Sequence, residues 1–239
     1  MKKIIIASIA LAMFTFSSCK KNGEKTEEST APAVAAPAAP AADKTPAFQP
    51  FQVMAITQTV KNYEVWKKAF DDHESVRAAS GLTVRALARG TDNPNKVYVF
   101  LNVSDMQKAK DFAASPNLKE VMQKAGVMGK PVIIYSDVVR FEESPAALKG
   151  RVRVASKVKD FDAWLKVFDA EGKDTRASFG LVDRAIARDI ENPNMVYLTF
   201  AISDLEKVKA RIKSPELQKI MIEAGVISKP VIDYYTSVN

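Results

Sequence analysis

From residue 51 onward the chain alternates between two kinds of apolar spacing. Short runs rich in β-branched and aromatic residues, such as KVYVFLNV at 96–103 and PVIIYSDV at 131–138, read as strands. Between such runs, apolar residues recur three and four apart: Tyr63, Val65, Trp66, Ala69, Phe70 and Val76 fall on one face of a helix that Asn62 can cap and Gly81 can end. In chain order the pattern predicts a strand near Gln52 to Thr59, that helix, a strand from Leu82 to Arg89, a TDNPN turn and the strand Lys96 to Val103. Ser104 and Asp105 then cap a second helix, Ser115-Pro116 opens a further helical turn with proline in its first position, and Gly126 closes it ahead of the last strand. In the strand Lys96 to Val103, Val97, Val99 and Leu101 alternate with Tyr98 and Phe100, so both faces are apolar and both need cover.

The whole pattern then repeats. Trp66, Phe70, Arg77, Gly81, Arg85 and Arg89 return as Trp164, Phe168, Arg176, Gly180, Arg184 and Arg188, and Asn93-Pro94-Asn95 returns as Asn192-Pro193-Asn194. Between Val60 and Tyr135 about 35 of roughly 76 positions match, which identifies a tandem duplication. Each copy has the order β-α-β-β-α-β, the ferredoxin-like split βαβ unit, an antiparallel sheet with both helices on one face. A unit of this size leaves its other sheet face bare, and two units in one chain can cover each other. The predicted class is therefore α+β: two ferredoxin-like βαββαβ units, residues 51–141 and 150–239, joined as an intrachain pseudo-dimeric α/β barrel.

The residues before 51 have a different composition. A basic start (Lys2, Lys3), an apolar stretch from Ile4 to about Phe16 and small residues before Cys19 have the layout of a secretory signal peptide over residues 1–18. The apolar stretch is too short for a helix that crosses a membrane, which needs about 20 residues. Phe16-Ser17-Ser18-Cys19 looks like a lipobox, so Cys19 is the expected lipidation site, and a doubly or triply acylated cysteine anchors a chain stably. Residues 19–50, rich in Ala, Pro and charge, cannot bury enough surface to order themselves and read as a tether.

Cys19 is also the sole cysteine, so no disulfide framework exists. The formal charge is +7, and loss of residues 1–18 removes two lysines and no acid. The remaining basic residues are scattered among acids and no nucleic-acid motif accompanies them, which excludes a nucleic-acid partner. One histidine and one lipidated cysteine make no zinc site, neither GxGxxG nor a P-loop is present, and no metal or cofactor is called for.

The recurring pattern of Trp66 and Phe70, the arginines, DNPN.V.V, SP.L...M and AGV.G.P resembles the dimeric α/β-barrel superfamily, and within it small bacterial proteins of the cyclase-like and antibiotic-biosynthesis-monooxygenase-like kind. The resemblance spans both copies and implies the fold. It does not single out an activity, because members include cofactor-independent monooxygenases, haem-degrading enzymes and isomerases. In the resembling monooxygenases the pocket lies between helices and sheet, where His73, the only histidine, and Arg77 beside it stand as candidate catalytic residues. The opposing reading makes His73 a core-edge residue satisfied by a local partner. Copy two carries Glu171 in its place and one extra residue before Arg176, so the two pockets differ chemically.

Candidate ligand-binding residues are Trp66 and Tyr98 together with Arg85, Arg89, Arg184 and Arg188. Each arginine pair lies four apart on a strand and is expected on one face, either turned into the barrel toward carboxylates or an anion or lying at an edge as solubilising charge. The expectation from the sequence is a lipoprotein of the bacterial cell envelope, held to a membrane through Cys19, the outer one where there are two, and binding a small anionic or aromatic molecule. A cofactor-independent monooxygenase-like or isomerase-like enzyme and a structural or protein-interaction module are the alternatives.

Overall fold

The structure, a computed structural model, describes residues 48–238. The signal peptide, Cys19 and most of the tether lie outside the described residues. Copy one comprises β1 (Phe51–Val60), α1 (Tyr63–Asp72), α2 (Glu74–Ala79), β2 (Leu82–Gly90), β3 (Lys96–Val103), α3 (Met106–Ala114), α4 (Pro116–Lys124) and β4 (Val127–Phe141). Copy two repeats them as β5 (Gly150–Lys157), α5 (Phe161–Glu171), α6 (Lys173–Ser178), β6 (Leu181–Asp189), β7 (Met195–Ile202), α7 (Leu205–Lys213), α8 (Pro215–Glu223) and β8 (Val231–Ser237). The helix starts follow their side chains. Asn62 accepts from the Val65 amide at 3.1 Å and Asp160 from Ala163 at 2.7 Å, while Ser115 and Ser214 cap α4 and α8 with proline in the first turn.

The sequence pattern predicts one helix from Asn62 to Gly81, and the structure divides it. The backbone leaves helical geometry at His73 (φ −91°, ψ 11°), and in copy two at the inserted Gly172 (φ +80°, ψ 150°), a conformation only glycine adopts without strain. The break strands a carbonyl in the last turn of α1 and α5. Arg77 donates to the Phe70 carbonyl, and Arg176 to that of Phe168 at 2.7 Å, so the recurring arginine satisfies the acceptor that the break exposes.

Within each copy the strands follow the ferredoxin-like order. All eight then close into one antiparallel barrel, β1-β3-β2-β8-β5-β7-β6-β4, with β4 returning to β1. Two seams join the copies: β2 pairs with β8 from Ala88↔Ser237 to Gly90↔Tyr235, and β4 pairs with β6 from Ser136↔Asp189 to Phe141↔Ala185. The helices cover the outside. Trp66, Leu87, Val97, Val99, Leu101 and Phe112 form one helix–sheet core, and Trp164, Ile186, Val196, Phe200 and Val208 its counterpart. Tyr98 and Phe100 face inward, which accounts for a strand with two apolar faces.

Both β2 and β6 carry a bulge, between Val84 and Ala86 and between Asp183 and Ala185. The extra residue is an arginine each time, Arg85 and Arg184. One additional residue reverses the alternation of side chains, so Arg85 and Arg89 fall on opposite faces, as do Arg184 and Arg188. The expectation that each pair shares a face is corrected on this ground.

Candidate functional site

An eight-stranded barrel is just wide enough either to be filled by its own side chains or to hold one small ligand. Here five inward alanines of β1, β2 and β6, Ala55, Ala86, Ala88, Ala185 and Ala187, leave a cavity of about 480 Å3. That volume lies within the range of small-molecule pockets, about 300–1,000 Å3. Phe100, Ile134, Val138, Tyr197 and Tyr235 supply the bulkier apolar wall.

The charged lining is one-sided. Arg85, Arg151, Arg153 and Arg184 face the cavity, and Glu143 is the sole carboxylate among its lining residues. Arg85 lies between two rings, 4.2 Å from the centroids of both Phe51 and Phe141, and donates to Asn102 Oδ1 at 3.2 Å. Arg184 stacks on the same Phe141 ring and donates to Glu143 Oε2 and the Glu142 carbonyl, each at 2.8 Å. Arg151 is held by the Leu148 and Gly150 carbonyls and by Ser144. Burial, and next the positive charge of Arg184, holds the guanidinium groups of Arg85 and Arg151 below their ordinary pKa.

Arg153 differs from the other three. It is 7% exposed, its guanidinium lies 4.9 Å from the Tyr197 ring centroid, and its Nε is buried without a hydrogen-bond partner. No ion pair reaches it among the described residues. A buried cation with no counter-charge is costly, and an anionic ligand in the cavity removes that cost.

The residues singled out from the sequence separate into three places. Arg85 and Arg184 stand at the cavity. Arg89 and Arg188 point outward, where each donates through Nε to the proline carbonyl of its Asn-Pro-Asn turn, at 2.8 and 3.0 Å, and stacks on the ring that opens the first helix, Tyr63 or Phe161. Tyr98 is buried at the β2–β8 seam, stacked on Tyr235 at 4.7 Å, and donates to Asp233 of copy two at 2.9 Å. Burial pushes its phenol up to about 12.

Trp66, His73 and Arg77 lie on the opposite face of the sheet. Trp66 is core, stacked on Phe70 at 5.1 Å. His73 sits at the break after α1 with Nε2 2.9 Å from Asn117 Oδ1, and Arg77 is buried under α2. The space between helices and sheet here is about 50 Å3, an order of magnitude less than the barrel cavity, because Trp66, Phe70 and Phe112 occupy it.

Arg151, Arg153, Glu143, Asn102 and the clamp of Phe51 and Phe141 were not expected at a site. A signal existed in the Arg-Val-Arg-Val alternation at 151–154, which sets two arginines on one face of β5. Among the described residues no cluster of His, Cys, Asp and Glu could hold a metal ion, and no helix is long and apolar enough to cross a membrane.

No protein-family model matches the chain, and no curated protein sequence does. Solved structures share its fold. An anthrone oxidase-like protein is 14% identical over 79% of this chain and 92% of its own, with a TM-score of 0.54. A Fusobacterium nucleatum protein assigned as a monooxygenase is 12% identical over 80% of this chain and 93% of its own, with a TM-score of 0.53. A Listeria monocytogenes ferredoxin-fold protein related to antibiotic biosynthesis monooxygenases is 10% identical over 80% and 97%, with a TM-score of 0.47. The class is thus the ferredoxin-like dimeric α/β barrel, closed here by the two halves of one chain. At such identities the likeness is one of fold.

Proposed function

We propose that the protein is an envelope lipoprotein that binds a small organic anion with a flat apolar body inside its barrel. The observation that carries this reading is Arg153, a buried guanidinium facing a 480 Å3 cavity with no internal counter-ion. A carboxylate paired with Arg153 leaves the alanines, Phe100 and Ile134 to take an aromatic or aliphatic body. Arg85 and Arg184 supply positive potential at the end where Phe51 and Phe141 stand.

Benzoate and benzamide, nearly isosteric and differing in charge, test the reading by calorimetric titration. Benzoate binds and raises Tm, benzamide does not, and Arg153→Met weakens benzoate about tenfold or more, the loss of a charged hydrogen-bonded pair. The unliganded Arg153→Met protein is at least as stable as the parent, because the substitution removes an unpaired buried charge. Equal binding of the two probes, or an unchanged affinity in Arg153→Met, would remove the basis for an anion site.

The anchor is the other half of the proposal and rests on the Phe16-Ser17-Ser18-Cys19 motif and the Ala/Pro-rich stretch after it. Cys19→Ser then moves the chain from the membrane to the soluble fraction, and a variant still sedimenting with membranes sinks it.

A second reading is catalysis by His73 and Arg77, favoured by one observation: both line the same hollow in copy one. Two solved structures of similar fold carry the names anthrone oxidase-like protein and monooxygenase. A substrate the size of an anthrone enters the hollow of about 50 Å3 only if the helices move off the sheet, so oxygen uptake with an anthrone as substrate is the assay of both the catalysis and that movement. Uptake abolished by His73→Ala supports catalysis, and no uptake leaves the binding reading in place.

A further inference from the structure

The two copies keep the same buried arginine in different company. In copy two, Arg176 is 3% exposed and places Nε and Nη2 on the two oxygens of Asp183, at 2.8 and 2.6 Å, with Glu171 3.6 Å from Nη1. Arg211, equally buried, holds Glu171 and Glu216 at 2.9 Å each. Three carboxylates thus answer two guanidinium groups.

In copy one, Arg77 takes the place of Arg176. It is 4% exposed, it stacks on Phe70 at 3.7 Å as Arg176 does on Phe168 at 3.9 Å, and it caps the same carbonyl. Its surroundings have lost every charge: Val84 stands for Asp183, His73 for Glu171, Phe112 for Arg211 and Asn117 for Glu216. Arg77 makes no ion pair among the described residues. Burial holds its pKa below the ordinary value against the weaker opposing pull of Glu74 and Asp71, which are both exposed and out of ion-pair range, and Asp71 is taken by Lys67 at 2.6 Å.

Beside Arg77 lies the hollow of about 50 Å3. One water needs about 10–15 Å3 of such space, so there is room for an ion of three or four heavy atoms. Gln58 also lines the hollow, 8% exposed, with Oε1 buried and unpartnered. Its carboxamide can accept from a water that accompanies an anion or, with its ends interchanged, donate to the anion itself.

We infer that this hollow is a binding site for a small monocarboxylate of formate to acetate size, which takes from solution the carboxylate that copy two supplies as Glu171. It is separate from the barrel cavity, on the other face of the sheet. Its geometry follows from the duplication: the guanidinium and its stacking ring are shared by both copies, the internal counter-ion is present only in copy two, and the hollow beside Arg77 is lined by Trp66, a built-in reporter.

The full chain with Trp164→Phe has Trp66 as its only tryptophan. Titration with sodium acetate against sodium chloride at constant ionic strength, read by Trp66 fluorescence and by Tm, tests the site. The expected result is a saturable acetate response that Arg153→Met retains, which separates it from any acetate bound in the barrel. His73→Glu, which installs a carboxylate where copy two has one, raises Tm without acetate and weakens the acetate response at least tenfold. Arg77→Met abolishes the response; if that variant does not fold, His73→Glu decides alone. An equal response to chloride, no saturable response, or an unchanged response in His73→Glu overturns the proposal.

Discussion

The two halves of the barrel wall invite direct comparison, because the strands β1 and β5 occupy equivalent registers, Val53 opposite Asn102 and Arg151 opposite Ala201. Inward from β1 come Val53 and Ala55; inward from β5 come Arg151 and Arg153. A homodimeric barrel repeats every interior side chain on both sides, so an arginine on one half faces its own twin and the cavity is cationic throughout. Fusion into one chain lifts that constraint. The β1 wall is apolar and the β5 wall cationic, which suits a ligand with a charged end and an apolar body. The helix–sheet interfaces have diverged in the same direction, with the ionic cluster in copy two and the apolar one in copy one.

The largest test of that second contrast is Asp183→Ala. It leaves Arg176 buried without its bidentate partner, and the expected loss is ~3–5 kcal/mol in urea unfolding. Val84→Ala, at the equivalent and partly exposed position, is expected to cost well under half as much. Similar losses in the two variants would show that the ionic cluster is not what holds copy two's helices to the sheet.

The seam between copies titrates. Tyr98 keeps its proton in the folded protein up to about 12, against an ordinary value of 10.0, chiefly because it is buried. Between those values the unfolded chain releases a proton that the folded chain retains. Stability is therefore fully present below pH 10 and falls as pH rises through this window, by about 2–3 kcal/mol from this group. Tyr197, which donates to Asp189 within its own copy rather than across the seam, is raised in the same direction. Unfolding of Tyr98→Phe between pH 9 and 12 isolates the contribution of the seam, and parallel curves for parent and variant would refute it.

A smaller difference separates two equivalent glycines that follow α2 and α6. Gly81 and Gly180 have φ of +72° and +81°, so alanine costs about 1–2 kcal/mol at either. A Cβ at Gly81 would meet the Ser104 hydroxyl at 2.7 Å, which can rotate away, whereas at Gly180 it would meet the Asp204 backbone carbonyl at 2.6 Å. Gly180→Ala is accordingly expected to lower Tm more than Gly81→Ala.

Much of this molecule is legible without coordinates, because its signals are local. Apolar spacing of two or of three to four, Asn62 and Asp160 before helices, and Ser-Pro at 115–116 and 214–215 specify elements through the backbone groups beside them. The repeat of about 35 positions then makes a pseudo-dimer the economical arrangement, since each bare sheet face needs cover. The direction of Arg85 was not legible. Its bulge is defined only by which residue of β3 pairs with Val84 and which with Ala86, and one extra residue moves every later side chain to the other face. Arg151 and Arg153 were hidden for a related reason. By itself Arg-Val-Arg-Val describes a strand with one wet face, and only closure of eight strands from two copies turns that face inward, where a charge needs a partner. Local chemistry thus determined the elements and their duplication, while the pairing between distant strands decided which arginines face solvent and which face the cavity.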